Sequence, residues 1–155
     1  MGPLVSIEHA AKVHGYITQA QAQGARLLCG GERIGPQGTF ITPTVFSEVD
    51  PTLAIVREEV FGPVIVAQKY ENLDDAIEAA NDSDYGLAAS VWTQSLSQAH
   101  RVSEALDAGT VWINALLMFD AALPIGGMKA SGFGRDSGAQ ALDNYLEWKT
   151  TCAIL

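Results

Sequence analysis

Apolar residues recur at helical spacing near the start of the chain. Ala10, Val13, Ile17 and Ala20 fall at i, i+3, i+7 and i+10, which places them on one helix face. Ser6 stands where an N-cap is expected, with Glu8 in the first turn, and Gly24 stands at the position of a C′ glycine. Gly15 inside the helix costs about 1 kcal/mol relative to alanine, yet both ends agree on the helix. A short strand over residues 26–29 follows, then a turn-rich stretch and an extended piece over 40–46. Pro43 restricts that piece to a sheet edge.

The middle of the chain alternates strand and helix patterns. Val64-Ile65-Val66-Ala67 is an unbroken apolar run, as in a strand covered on both faces. Asn72 caps a helix whose first turn carries Asp74 and Asp75 against the positive end of the dipole, with Leu73, Ile77 and Ala80 facing inward. A second strand covers 87–92. Ser95 with Gln98 forms a capping box, Leu96, Ala99, Val102 and Leu106 point inward, and Gly109 closes this second helix. A third strand covers 110–114. The β-α-β-α-β order predicts parallel strands with right-handed crossovers. Ligands of such sheets bind beyond the carboxyl ends of the strands, which directs attention to the loop 115–125. A glycine-rich stretch over 126–138, a short helix near 139–145 and an extended tail over 147–155 complete the pattern. Such a tail pairs with a sheet edge or protrudes toward a partner strand.

Composition narrows the functional classes. The 155 residues are 48% hydrophobic and 17% charged, which suits a folded domain with a core and excludes a disordered chain. Nine basic against eighteen acidic residues give a net charge of −9, a sign that disfavours nucleic acid and acidic lipid as partners. No apolar run approaches the ~20 residues of a membrane span. The first residues lack a basic region followed by an apolar stretch, so no secretory signal is expected. Cys29 and Cys152 are too few for a disulfide framework or a zinc site, and two free thiols suit a reducing, cytoplasmic compartment.

Common catalytic motifs are absent: no dinucleotide-binding glycine fingerprint after a strand, no P-loop, no H-E-x-x-H and no G-x-S-x-G. His9, His14 and His100 lie on predicted helices with spacings unsuited to a shared metal, and read as surface histidines. Cys29 and Cys152 have no histidine or helix start beside them and read as packing thiols rather than nucleophiles. Glu58-Glu59-Val60-Phe61-Gly62-Pro63 admits two readings. One is a charged turn with a core phenylalanine. The other is a carboxylate for the hydroxyls of a vicinal diol, with an aromatic face beside it for a planar ring, as in a nicotinamide riboside.

Taken in order, these segments resemble the C-terminal third of the NAD(P)-dependent aldehyde dehydrogenase superfamily. The matching pieces are Gly2-Pro3-Leu4-Val5-Ser6, Gly24-Ala25-Arg26-Leu27-Leu28-Cys29-Gly30-Gly31, Phe40-Ile41-Thr42-Pro43-Thr44-Val45 and Glu58 through Pro63. They continue with Tyr85-Gly86-Leu87-Ala88-Ala89 and Ala108-Gly109-Thr110-Val111-Trp112-Ile113-Asn114. The last are residues 124–134, with Gly126-Gly127, Lys129 and Ser131-Gly132, then Gly134-Arg135 and Glu147-Trp148-Lys149-Thr150. Any one piece is weak; together, in one register, they are specific.

The resemblance implies an α/β fold: a parallel βαβαβ core of the catalytic domain over 1–146 and an oligomerisation strand over 147–155 that joins a neighbouring subunit. It implies NAD or NADP as cofactor, with Glu59 on the nicotinamide ribose, Phe61 against the nicotinamide, Leu87 bordering that end, and Lys12 near the adenosine ribose. Loop 115–125 would be the wall of the substrate tunnel, with Met118, Phe119 and Ile125 as contacts. Arg135 and Glu147 would form a structural ion pair near the subunit interface. The family's nucleophilic cysteine and general-base glutamate lie upstream of the matched segment, so no catalytic residue is expected in this chain and the isolated polypeptide is expected to be silent. The family reaction is thiolate attack on an aldehyde, hydride transfer and hydrolysis of the thioester. Asp136 stands where a glutamate often follows G-x-G-R, which leaves any proton-relay role there open.

The near absence of charge between Asn114 and Lys129, Asp120 excepted, suits an apolar aromatic or medium aliphatic aldehyde rather than a carboxylate-bearing one. Two other classes stay open on the sequence alone. One is a non-catalytic module that keeps the fold and the oligomer interface; the other is a separate acidic α/β binding domain.

Overall fold

A computed structural model describes residues 1–35 and 38–155 of the chain. Pro36 and Gln37, within the turn-rich stretch between residues 29 and 40, lie outside the described residues. Two compact units are present, Met1–Tyr70 and Glu71–Leu155.

The first unit is built on helix α1, Ile7–Ala22, whose N-cap Ser6 accepts the His9 N–H at 3.1 Å. The Glu8 carboxyl is held below its ordinary range by its own backbone N–H and by the Ser6 hydroxyl. At the other end Gly24, at φ 91°, donates to the Gln21 carbonyl and Ala25 donates to Ala20. That pair of bonds is a Schellman motif. Ala10, Val13, Ile17 and Ala20 are all buried, as the spacing predicts.

Strands β1 (Arg26–Cys29), β2 (Arg33–Ile34), β3 (Phe40–Ile41) and β4 (Thr44–Ser47) follow, then a single helical turn α2 (Ala54–Arg57) and strand β5 (Val64–Ala67). The sheet order is β1-β4-β5, with β4 antiparallel to β1 and parallel to β5, while β2 and β3 form a separate hairpin pair. This corrects the expectation for 40–46. Pro43 breaks the segment into two strands, and the second is central rather than an edge. Pairing begins immediately beyond the proline, where the Thr44 N–H donates to the Pro63 carbonyl at 2.8 Å. Buried Thr44 also accepts from Gly31 N–H and donates to the Thr42 carbonyl, so no polar atom of its side chain is stranded.

The apolar run 64–67 is likewise not covered on both faces. Val64 and Val66 pack on the core, whereas Ile65, which points to the opposite face of the strand, is 62% exposed. The core itself joins Val13, Ile17 and Ala20 of α1 to Phe46, Val49, Ile55 and Val60.

The second unit begins with helix α3 (Leu73–Asn81), capped by Asn72, whose Oδ1 accepts the Asp75 N–H at 2.9 Å. Its expected buried stripe is shallower than predicted: Leu73 and Ile77 are half-buried and Ala80 is exposed. Strands β6 (Tyr85–Gly86) and β7 (Ala88–Val91), helix α4 (Leu96–Ala105), and strands β8 (Thr110–Ile113) and β9 (Met128–Lys129) follow, then a 3₁₀ helix over Ala139–Asn144. β7 and β8 pair in parallel across α4, as the β-α-β pattern requires, and β6 pairs antiparallel with β9. The expected single βαβαβ sheet is not formed among the described residues, since β5 takes β4 as its partner.

At α4 the capping box is closed indirectly. Ser95 Oγ accepts the Gln98 N–H, and Thr93 Oγ1 accepts the Ser95 N–H while donating to Gln98 Oε1. Leu96 is 69% exposed, and the helix ends at Ala105 with Leu106 as its C-cap, rather than at Gly109. Gly109 serves packing instead: a Cβ there would overlap the Gly126 carbonyl. Residues 147–155 form neither helix nor strand and are exposed.

Phe46, fully buried at the centre of the first unit, should cost about 3–5 kcal/mol on truncation to alanine. Gly62→Ala should destabilise by about 1–3 kcal/mol, because its Cβ would lie 2.7 Å from Val13 Cγ1. Gly15→Ala, with nothing within 4 Å of the new Cβ, should instead stabilise by up to about 1 kcal/mol. Urea unfolding of the three variants tests this order of effects.

Candidate functional site

Helix α1 presents His9, Lys12, Val13 and Tyr16 on one face, at the i, i+3, i+4 and i+7 positions that share a helix side. The turn that follows α2 lies against that face. Tyr16 Oη donates to Glu58 Oε2 at 2.6 Å, and Lys12 Nζ stands 5.9 Å from the centre of the Tyr16 ring. Val60 is buried in the core while its neighbours Glu59 and Phe61 are exposed. Gly62 then touches Val13, and Pro63 hands the chain to β5.

Phe61 holds a left-handed backbone, φ 54°, and its side chain is 73% exposed. A bulky residue there costs about 1–2 kcal/mol, and an exposed ring adds nothing back by burial. The ring has one aromatic neighbour, His9, at 6.2 Å between centroids. The two carboxylates therefore differ. Glu58 is bound to Tyr16, whereas Glu59 has no hydrogen bond or ion pair among the described residues. The core-phenylalanine reading of this motif is excluded by that exposure. What remains is an unspent carboxylate next to an open aromatic face, with a lysine on the adjoining helix. Those groups fit a ribose diol and a planar, cationic ring.

In the second unit the loop 115–125 leaves the carboxyl end of β8, where the strand-end rule puts it. Asn114, at φ 52°, clamps Thr93 twice, accepting its N–H and donating to its carbonyl, both at 2.8 Å. Ser90 Oγ donates to the Ala115 carbonyl at 2.7 Å. The far end is pinned by the paired backbone bonds between Ile125 and Asp136 and by Gly138 N–H to the Ala121 carbonyl. Between these anchors Leu117 is also left-handed, at φ 56°. Met118 and Phe119 are exposed, at 68% and 63%, and Ile125 is half-buried. Trp112 Nε1 donates to the Met118 carbonyl at 2.8 Å, and its ring meets Phe119 edge-on at 5.7 Å.

Leu87 is more than half exposed and lines a cavity of about 270 Å³ with Tyr85, Ala89 and Asp107. Beside it Lys129 fastens the end of α3: its Nζ donates to the Asn81 and Ser83 carbonyls at 2.7 and 3.2 Å and stands 3.4 Å from Asp107. A cation over the last carbonyls of a helix is the favourable sign there. Asn81 continues the clasp, donating to the Ala105 carbonyl and accepting the Asp107 N–H.

Several expectations change. Among the described residues no ion pair joins Arg135 to Glu147; Arg135 Nη1 donates to the carbonyls of Gly127 and Gly134 at 2.9 and 2.7 Å, and Glu147 is exposed. Cys29 is exposed rather than packed, with Sγ 3.9 Å from the Pro43 carbonyl, and Cys152 is exposed as well. His9 is half-buried, not a surface histidine, and its Nδ1 is buried without a partner. The sequence gives Tyr16 no role, and it marks Lys129 and Trp112 only as parts of matching motifs, without the contacts they make here. For Tyr16 the signal was present in its i+4 relation to Lys12; for the other two it lies in contacts with main-chain carbonyls that carry no residue signature. No described helix is long and apolar enough to cross a membrane.

The profile described as the aldehyde dehydrogenase family matches residues 1–151. The chain is 49% identical over 150 residues to a putative aldehyde dehydrogenase, DhaS, of Bacillus subtilis (strain 168), covering 97% of this chain and 30% of that protein. It is 47% identical over 154 residues to a mitochondrial benzaldehyde dehydrogenase of Antirrhinum majus, covering 99% of this chain and 29% of the relative. Among solved structures it superposes on an indole-3-acetaldehyde dehydrogenase of P. syringae in complex with NAD+ and IAA, with a TM-score of 0.93 and 43% identity. That match covers 97% of this chain and 31% of the other. The NAD+ complex of an aldehyde dehydrogenase from Bacillus cereus gives a TM-score of 0.90 at 49% identity, over 95% of this chain and 30% of that one. The chain thus spans about 30% of the length of the relatives it matches.

Lys129→Met removes a charged donor shared by two carbonyls and Asp107, so it should destabilise the second unit by about 1–2 kcal/mol after allowance for its partial exposure. Hydrogen exchange at the α3 C-terminus should quicken, while exchange in α1 should not change.

Proposed function

The chain belongs to the aldehyde dehydrogenase family, and from that premise we propose that it is the C-terminal portion of an NAD-dependent enzyme oxidising an apolar aldehyde to the carboxylic acid. The observation that carries this reading is the pairing of Glu59, a carboxylate with no partner among the described residues, with the open ring of Phe61. NAD, when bound, accepts the hydride. Glu59 accepts hydrogen bonds from the hydroxyls of the nicotinamide ribose, and Phe61 offers its face to the nicotinamide. Tyr16 keeps Glu58 out of that role by occupying its carboxylate. Lys12 serves the adenosine ribose, and Leu87 takes its cofactor role from the Y-G-L-A motif alone. The attacking thiol and the general base belong to the remainder of the protein.

Loop 115–125 forms the wall of the aldehyde channel through Met118, Phe119 and Ile125. No Arg or Lys lies between Asn114 and Lys129, so a carboxylate-bearing aldehyde would find no counter-charge from this segment. Relatives named for benzaldehyde and indole-3-acetaldehyde support an aromatic substrate. The exposed tail, with Trp148, Ile154 and Leu155 uncovered, serves as the strand that joins a neighbouring subunit. A cytoplasmic location accords with two free thiols.

In the enzyme that carries this chain, Glu59→Gln should slow hydride transfer by about ten- to a hundredfold, the weight of a charged hydrogen bond. Stopped-flow measurement of the burst of reduced cofactor reads this step, and an unchanged burst rate would remove Glu59 from the site. The 155-residue chain alone should show no aldehyde-dependent reduction of NAD; turnover would place the nucleophile within it.

A further inference from the structure

The tip of the loop after β8 is held by one side chain. Among the described residues, Trp112 is the only side chain that hydrogen-bonds to or stacks on residues 116–119. Every other anchor acts elsewhere: Asn114 and Ser90 at the loop's start, the Asp120 carboxylate on the Ala122 N–H, and the Ile125–Asp136 and Gly138–Ala121 bonds at its end. The Met118 carbonyl that accepts from the indole follows directly on Leu117, whose left-handed backbone an L-residue avoids unless its surroundings impose it. The indole also sets the Phe119 ring edge-on against its own. Trp112 sits in the register Ser90↔Trp112 between paired strands, so its base is fixed while its edge reaches the loop.

We propose that Trp112 is a specificity-setting positioning residue: it fixes where Met118 and Phe119 stand, and through them which aldehydes the channel prefers. The inference rests on the reading of this loop as channel wall. Trp112 itself touches neither substrate nor cofactor. Losing the indole N–H while keeping an aromatic ring, as in Trp112→Phe, frees the Met118 carbonyl and loosens the tip. Trp112→Leu removes the edge contact with Phe119 as well and goes further in the same direction.

Hydrogen exchange on the enzyme that carries this chain reads the pin directly. Trp112→Phe should raise exchange at 115–120 with little change in α3 or α4, and equal protection in both proteins would overturn the proposal. In the enzyme that carries the chain, kcat/KM for benzaldehyde relative to acetaldehyde should change by about 2- to 10-fold, the weight of one neutral hydrogen bond. The change should fall on the aldehyde KM, with the KM for NAD unaltered, which a general loss of fold would not produce. Met118→Ala and Phe119→Ala in the same enzyme separate the two possible failures. If they shift the preference and Trp112→Phe does not, the role of Trp112 is refuted while the channel reading stands. If none of the three shifts it, the channel reading falls and the proposal with it.

Discussion

The approach of the Val13 side chain to the backbone of Gly62 sets the geometry of the first unit. At 2.7 Å from where a Cβ would stand, the valine leaves room for glycine alone, and that contact draws the turn after α2 onto the face of α1. The same helix face supplies Tyr16 to Glu58 and His9 to Phe61. Burial of Val13, Ile17 and Phe46, at about 1.5–3 kcal/mol for each side chain, offsets the left-handed backbone of Phe61 several times over. The core thus carries the strain of a ring left open to solvent, the condition under which strained residues persist at functional sites.

The second unit solves a similar problem at its loop with polar bonds. Two non-glycine residues, Asn114 and Leu117, are left-handed within four positions of each other. Asn114 meets its cost locally, through a reciprocal clamp on Thr93 that a short amide side chain is suited to make. Leu117 cannot do so, and the adjoining Met118 carbonyl relies on the indole of Trp112. Lys129, likewise left-handed, turns its ammonium onto the carbonyls closing α3 and fixes the start of β6 nearby.

Local signals in the sequence were reliable where the physics is local. Ser6, Asn72 and Ser95 cap the helices they were expected to cap, and the α1 stripe is buried at every position read from its spacing. The motif pieces that carry the family resemblance were also legible, down to the glycines that allow close backbone approach. Long-range arrangement was not. Pro43 taken locally confines its segment to an edge, because nothing local reveals that β5 arrives in parallel on the far side of β4. An apolar run such as 64–67 shows that a strand is apolar on both sides, not that this chain supplies both covers. The tie from Tyr16 to Glu58 joins positions 42 apart, and the bonds of Trp112, Lys129 and Arg135 end on carbonyls that every residue has. That last fact also explains why Arg135 was assigned to Glu147 and is found on Gly127 and Gly134.

The most direct measurement is a crystal structure of the enzyme carrying this chain with NAD bound. A Glu59 carboxylate oxygen should lie about 2.6–3.2 Å from a hydroxyl of the nicotinamide ribose, with the Phe61 ring in contact with the nicotinamide. A cofactor whose ribose hydroxyls are met by other groups, with Glu59 turned to solvent and Phe61 touching nothing of it, would contradict that central claim.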